Sequence, residues 1–281
     1  MGHSIAVMNA KGGVGKSTLT MAMAEVLALE HGKRILLIDS DGQMSLSLMV
    51  TPFERLRDLR GEGRSLASFL VHSVLHGQSA DWRNYLAHDV SDVDDVRDIY
   101  LLPGDMDITL VERSVVAAGR EAVLAAVVQR LLVEASSIFD LVIVDCAPGI
   151  TTLTECWLRA CDYHLVPVKP DVLAVAGMEY LRNFKAASRE ADFAQHIGVV
   201  VNMMDETSDD DRTVYNSLRA RADLRCFPEA VPRLTPMQRA ALFSREPRSL
   251  IAKYPSSAGR ALRAICQEML HRISGDQAFG H

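Results

Sequence analysis

Long apolar runs are missing from this sequence. The best stretch, Ala122 to Val133, is broken by Gln129 and Arg130 and falls short of the roughly 20 residues a membrane-spanning helix requires. The first residues carry no basic stretch followed by an apolar one, which argues against a secretory signal. A Gly2 myristoylation pattern fails because Ala6 stands where Ser or Thr is needed. Five cysteines (Cys146, Cys156, Cys161, Cys226, Cys266) form no C-x-x-C pair, so neither a zinc knuckle nor a redox dithiol is indicated. These absences together point to a cytoplasmic protein. Internal repeats, linkers and low-complexity tracts are also lacking, so residues 1–281 are expected to form one domain.

What is present is ordinary for a globular chain: 48% hydrophobic and 23% charged residues over 281 positions, ample for a core without metal or disulfide support. The net charge is −6, but it is unevenly spread. Between Asp81 and Glu112 nine acids face two arginines, a local −7. Between Arg212 and Arg272 twelve bases face four acids, a local +8. Charge segregated in this way leaves room for a polyanionic partner despite the acidic total.

Ser4 to Asn9, Arg34 to Asp39, Ile99 to Leu102, Leu141 to Asp145, Tyr163 to Val168 and Ile197 to Asn202 read as short buried strands. Helical spacing marks Ser17 to Glu30, Arg120 to Ser136, Thr152 to Ala160 and Val172 to Arg189. Alternation of this kind predicts an α/β fold, a mostly parallel twisted sheet with helices on both faces, whose ligands bind at the carboxyl ends of the strands. Thr51 to Val96 holds a possible helix, Ser65 to His76, but no clear strand, and reads as a variable insertion on the same domain.

After the first strand comes Lys11-Gly12-Gly13-Val14-Gly15-Lys16-Ser17-Thr18. Glycines let successive N–H groups converge on phosphate oxygens, the helix that follows offers its N-terminus, Lys16 reaches the β and γ phosphates, and Ser17 supplies a hydroxyl for Mg²⁺. Ala10 stands where the ordinary phosphate-loop pattern has glycine, and Lys11 is an additional cation. Asp145, closing an apolar strand, can hold Mg²⁺ or its water shell.

K-G-G-V-G-K-S-T resembles the deviant Walker A box of the ParA/MinD family of P-loop ATPases. Asp39-Ser40-Asp41-Gly42-Gln43 resembles that family's D-x-D-P-Q segment, with Gly42 in place of Pro. Asp140 to Pro148 resembles its Walker B and switch II, and Val166 to Lys169 with Gly177 the strand and helix that follow. The resemblance is closest to ParA partition ATPases of the Soj-like kind, which lack an N-terminal helix-turn-helix domain. It implies that ATP and Mg²⁺ are bound and ATP hydrolysed with low turnover, Asp41 positioning the attacking water and Asp39 supporting the metal's outer shell. It also implies that Lys11 reaches the phosphates of a second subunit in an ATP-dependent homodimer. Asn202 resembles the family's base-contacting Asn, and Pro232 a segment flanking the adenine.

Among the family's cargoes, non-specific DNA is favoured by the +8 stretch, where Arg219, Arg221, Arg225, Arg233, Arg239 and Arg245 are the candidate contacts. A ParB-like or other activating protein partner and association with the nucleoid in the ATP state go with that reading. Positioning of a protein cargo on the nucleoid and a membrane-associated, MinD-like role are the alternatives. Ser256 to Ile273 carries an apolar stripe of Leu262, Ile265, Met269 and Ile273, which more commonly packs on a sheet than on a lipid surface. The polar end that follows it does not look like a MinD-type membrane tail, so no membrane partner is expected.

Overall fold

The computed structural model describes residues 1–188 and 193–277. Six parallel strands form one sheet: β1 (His3–Val7), β2 (Ile35–Ser40), β3 (Ile99–Leu102), β4 (Leu141–Cys146), β5 (Tyr163–Val168) and β6 (Gln195–Val201), in the order β3-β2-β4-β1-β5-β6. Each is a near-continuous apolar run because both faces are covered. Alternate residues serve opposite faces. Ala6, Leu36, Val144 and Val199 enter one core; Ile5, Leu37, Ile143 and Val200 enter the other. The helices Glu121–Ser136 and Thr152–Ala160 close the first face, and Lys16–His31 and Ser256–Gln277 close the second.

The strand assignments from sequence hold to within two residues at each end. The helix expected from Val172 to Arg189 runs Val172–Ala187, and Arg189 lies outside the described residues. Ser65 to His76 divides into an α-helical turn, Leu66–Leu70, and a π-helical one, Val71–Leu75. Residues 51–96 form no strand of the sheet, yet they supply both cores. Leu66, Phe69 and Trp82 go to one face and Leu56, Val90 and Val93 to the other. Leu262, Ile265, Met269 and Ile273 are buried against the Lys16–His31 face, so the apolar stripe of the last helix is core. No helix of the described residues is long and apolar enough to cross a membrane.

One polar cluster is built into the second core. Lys253 is buried and its Nζ donates to Glu25 Oε1 at 2.7 Å and to Asp92 Oδ1 at 2.6 Å. The Tyr254 hydroxyl donates to the other Glu25 oxygen, and Arg248 pairs with the other Asp92 oxygen. This cluster joins the first helix, residues 91–92 and the segment before the last helix.

Candidate phosphate-binding site

At the carboxyl edge of the sheet, β1 runs into the loop Met8 to Gly15 and then the Lys16–His31 helix. Gly13 and Gly15 take left-handed backbone, φ 70° and 84°, which side-chain-bearing residues adopt only with strain. A Cβ on Gly15 would also lie 2.3 Å from Asn202 Nδ2. That contact follows from how the loop is held, since Asn202 Nδ2 donates to the Val14 carbonyl at 2.9 Å. Asn9 ties the loop from the other side: its Nδ2 donates to the Pro167 carbonyl at 2.7 Å, while its Oδ1 accepts from the Lys11 N–H at 2.9 Å. Lys16 is almost fully buried and Ser17 half-buried at the helix start, and Gly12 and Gly13 are exposed.

Three carboxylates converge on this edge. Asp39 and Asp145 are register partners on β2 and β4, and Asp41 follows one residue beyond β2. Asp39 is fully buried, and it accepts from Ser47 Oγ at 2.6 Å, Ser47 N at 2.8 Å and Asp41 N at 3.2 Å. Burial pushes its pKa up to about 6, against those hydrogen bonds, with Asp41's charge adding to the rise. Ser47 is fixed in turn by the Gly104 N–H at 2.9 Å, where a side chain would collide with Asp39. Asp145 is fully buried, and neither of its oxygens has a hydrogen-bond partner among the described residues. Burial and then the Asp39 charge raise its pKa well above the usual range, while the nearby Ser17 hydroxyl and Lys16 ammonium act the other way. Unpaired carboxylate oxygens buried beside a helix N-terminus and a serine hydroxyl have the donor chemistry of a Mg²⁺ site.

Lys11 is not free in this state, because its Nζ pairs with Asp171 Oδ2 at 2.5 Å with both side chains about one-third exposed. Asn202 and Pro232 share a cleft of about 410 Å³ with Thr18 and Met203. The six candidate arginines differ in their surroundings. Arg219, Arg221 and Arg225 line an open groove with Arg272. Arg233 borders the Asn202 cleft, Arg239 is exposed, and Arg245 pairs with Glu54 at 2.7 Å. Arg221 is also paired, with Asp223 at 2.8 Å. Sequence reasoning missed Asn9, Ser47, Gly104 and Asp171. Asn9 stands two residues before the Lys11 to Thr18 motif, whereas Ser47 and Asp171 carry no local signal. Cys146 is fully buried beside Asp145, and burial raises its thiol pKa strongly, so it is no ready thiolate.

The sequence matches the AAA domain family, AAA_31, over residues 2–195. It is 28% identical over 274 residues to the chromosome-partitioning ATPase Soj of Thermus thermophilus, covering 96% of each chain. Among solved structures it resembles cobyrinic acid a,c-diamide synthase of Mycobacterium smegmatis with bound ATP analogue and magnesium (TM-score 0.73, 25% identity, 98% and 97% of the two chains). The fold is also that of the pNOB8 ParA bound to nonspecific DNA (TM-score 0.71, 21% identity, 98% and 100%).

Proposed function

Since the chain belongs to the AAA domain family and, within it, to the ParA/MinD-type P-loop ATPases, we propose that it uses ATP binding and hydrolysis to switch a face-to-face dimer on and off non-specific DNA. It is an ATP hydrolase, with ATP and Mg²⁺ as its cofactors. The observation that carries the reading is the loop with two lysines, Lys11 and Lys16, set against a buried carboxylate with both oxygens unpaired, Asp145. The N–H groups of Gly12, Gly13, Val14, Gly15 and Thr18 and the Lys16 ammonium would bind the phosphates. Ser17 and Asp145 would hold Mg²⁺, and Asp39 would orient its water shell. When bound, the metal neutralises charge on the phosphate oxygens.

In this scheme Asp41 orients the attacking water, and Lys11, released from Asp171, reaches the partner's phosphates. Asn202 and Pro232 flank the adenine. Of the arginine candidates, Arg219, Arg221 and Arg225 around one groove are the best placed to contact DNA phosphates together, with Arg233, Arg239 and Arg245 as outlying contacts. A ParB-like activator and association with the nucleoid in the ATP state complete the proposal.

The test is ATPase activity measured alone, with duplex DNA and with liposomes, beside retention on DNA in ATP and in ADP. DNA retention in ATP only, lost at high salt, is expected; stimulation by liposomes instead would overturn the DNA reading. Lys11→Ala should bind ATP yet remain monomeric in light scattering, and unchanged ATP-dependent dimers would remove its role across the interface.

A further inference from the structure

At the end of the sheet away from the phosphate loop lies a cavity of about 270 Å³ lined by none of the residues assigned to the nucleotide. His164 and His196, the second residues of β5 and β6, meet there under the Val172–Ala187 helix. Its floor is apolar, with Val166, Val199 and Leu224, and Leu181 faces them from the helix.

Counting protons on the two imidazoles gives a specific result. His164 Nδ1 lies 2.8 Å from the Ala194 carbonyl, and His196 Nε2 lies 3.0 Å from the Leu224 carbonyl. A carbonyl only accepts, so each of those nitrogens carries its ring's N–H. The remaining two nitrogens, His164 Nε2 and His196 Nδ1, face each other at 3.2 Å. With both rings neutral, these are two lone pairs in contact. One more proton turns the contact into an imidazolium–imidazole hydrogen bond.

The surroundings withhold that proton. Burial is the first cause for both rings, and it takes His164 down to about 3 and His196 below its ordinary value. Lys185 from the covering helix opposes the charge on both, and Arg225 and Arg272 from the far side oppose it on His196. Within the lining, Glu179 and Asp223 stand against Arg182, Arg221 and Lys185, an excess of one positive charge. Arg221 is matched by Asp223 and Arg272 by Glu268. Lys185 donates to the Ala194 carbonyl at 3.2 Å and lies over the Phe193 ring, and no carboxylate pairs with it among the described residues. A half-buried ammonium and an unprotonated histidine pair over an apolar floor lack the same thing, one negative charge.

We propose that this cavity binds a small amphipathic anion, a carboxylate on a short apolar body, and that its arrival is coupled to uptake of a proton by the His164–His196 pair. The carboxylate pairs with Lys185, the apolar body displaces water from the floor, and the added negative charge offsets the cations that keep the proton off.

The experiment is calorimetric titration of the full chain with hexanoate, with hexanol as the uncharged control, at pH 6 and pH 8 and in two buffers of different ionisation enthalpy. Saturable 1:1 binding of hexanoate is expected, with net proton uptake and a Kd that tightens by up to about tenfold per pH unit lowered. Hexanol should bind at least about tenfold more weakly, and Lys185→Gln should remove a similar factor. His196→Gln should bind hexanoate without pH dependence. Intact ATP binding and an unchanged melting temperature identify the variants as folded. Should His196→Gln not fold, wild type and Lys185→Gln still decide the matter. Equal affinity for hexanol, no binding at millimolar hexanoate, or binding by wild type without proton uptake would each overturn the proposal.

Discussion

Replacing Lys253 by Met removes one charge from a cluster that balances two cations against two carboxylates, all buried except Arg248. Asp92 keeps Arg248 at 2.5 Å and the Ser244 N–H at 2.6 Å. Glu25 keeps only hydroxyls, those of Ser91 at 2.7 Å and Tyr254 at 2.6 Å. The variant therefore leaves Glu25 as a buried charge without a cation, a defect of about 3–5 kcal/mol. For a chain near this size that is a fall in melting temperature of about 6–20 °C. Urea unfolding followed by circular dichroism measures it directly. The second variant is the sharper control: adding Glu25→Gln to Lys253→Met removes the stranded charge and should restore about 2 kcal/mol or more. A loss below about 1 kcal/mol, or no recovery in the double variant, would refute this account.

At the loop, Gly15→Ala combines a left-handed backbone penalty of about 1–2 kcal/mol with a collision at Asn202 Nδ2. Affinity for a fluorescent ATP analogue should fall at least about tenfold, and an unchanged Kd would mean that the loop is not held as described. Ser47→Ala deprives the buried Asp39 of its closest donor and should cost about 1–3 kcal/mol in denaturant unfolding. His164, with its folded pKa at about 3, binds a proton in the unfolded chain well before the folded one. Its contribution to stability is present above the unfolded value of 6.5 and is lost as pH falls, at up to about 1.4 kcal/mol per pH unit. His164→Gln should therefore flatten the decline between pH 6.5 and pH 4.5, and parallel unfolding curves for the two proteins would contradict the assignment.

The sheet was legible because each strand is a largely apolar run four to seven residues long, several with a turn former beside them, as in Leu141 to Asp145. The phosphate loop was legible because its glycines, lysines and serine are contiguous. Harder to read were pairings across distance. Nothing near Lys11 in the chain announces Asp171, 160 residues on. Glu25 inside an apolar helical stripe was a sign of a buried partner, but Lys253 lies 228 residues away. Charge totals likewise could not tell that Arg245 meets Glu54 or that Arg221 meets Asp223, which divides an apparently uniform basic stretch into paired and available residues. The helix Ile108–Ala117 begins inside the acidic stretch, and its buried stripe is only three residues, Ile108, Val111 and Val115, too short a pattern to stand out from the charge around it.

The Lys253 cluster also bears on how the protein is made. The first helix, which carries Lys16 and Ser17, buries Glu25 against a lysine that leaves the ribosome 228 residues later, roughly 11–46 s at ordinary elongation rates. Until then that helix has neither the cation for Glu25 nor the last helix over its apolar side. The nucleotide loop is thus made well before the segment that completes the support of its helix, and a nascent chain that has not yet reached Lys253 carries that loop on a helix whose buried Glu25 has no cation.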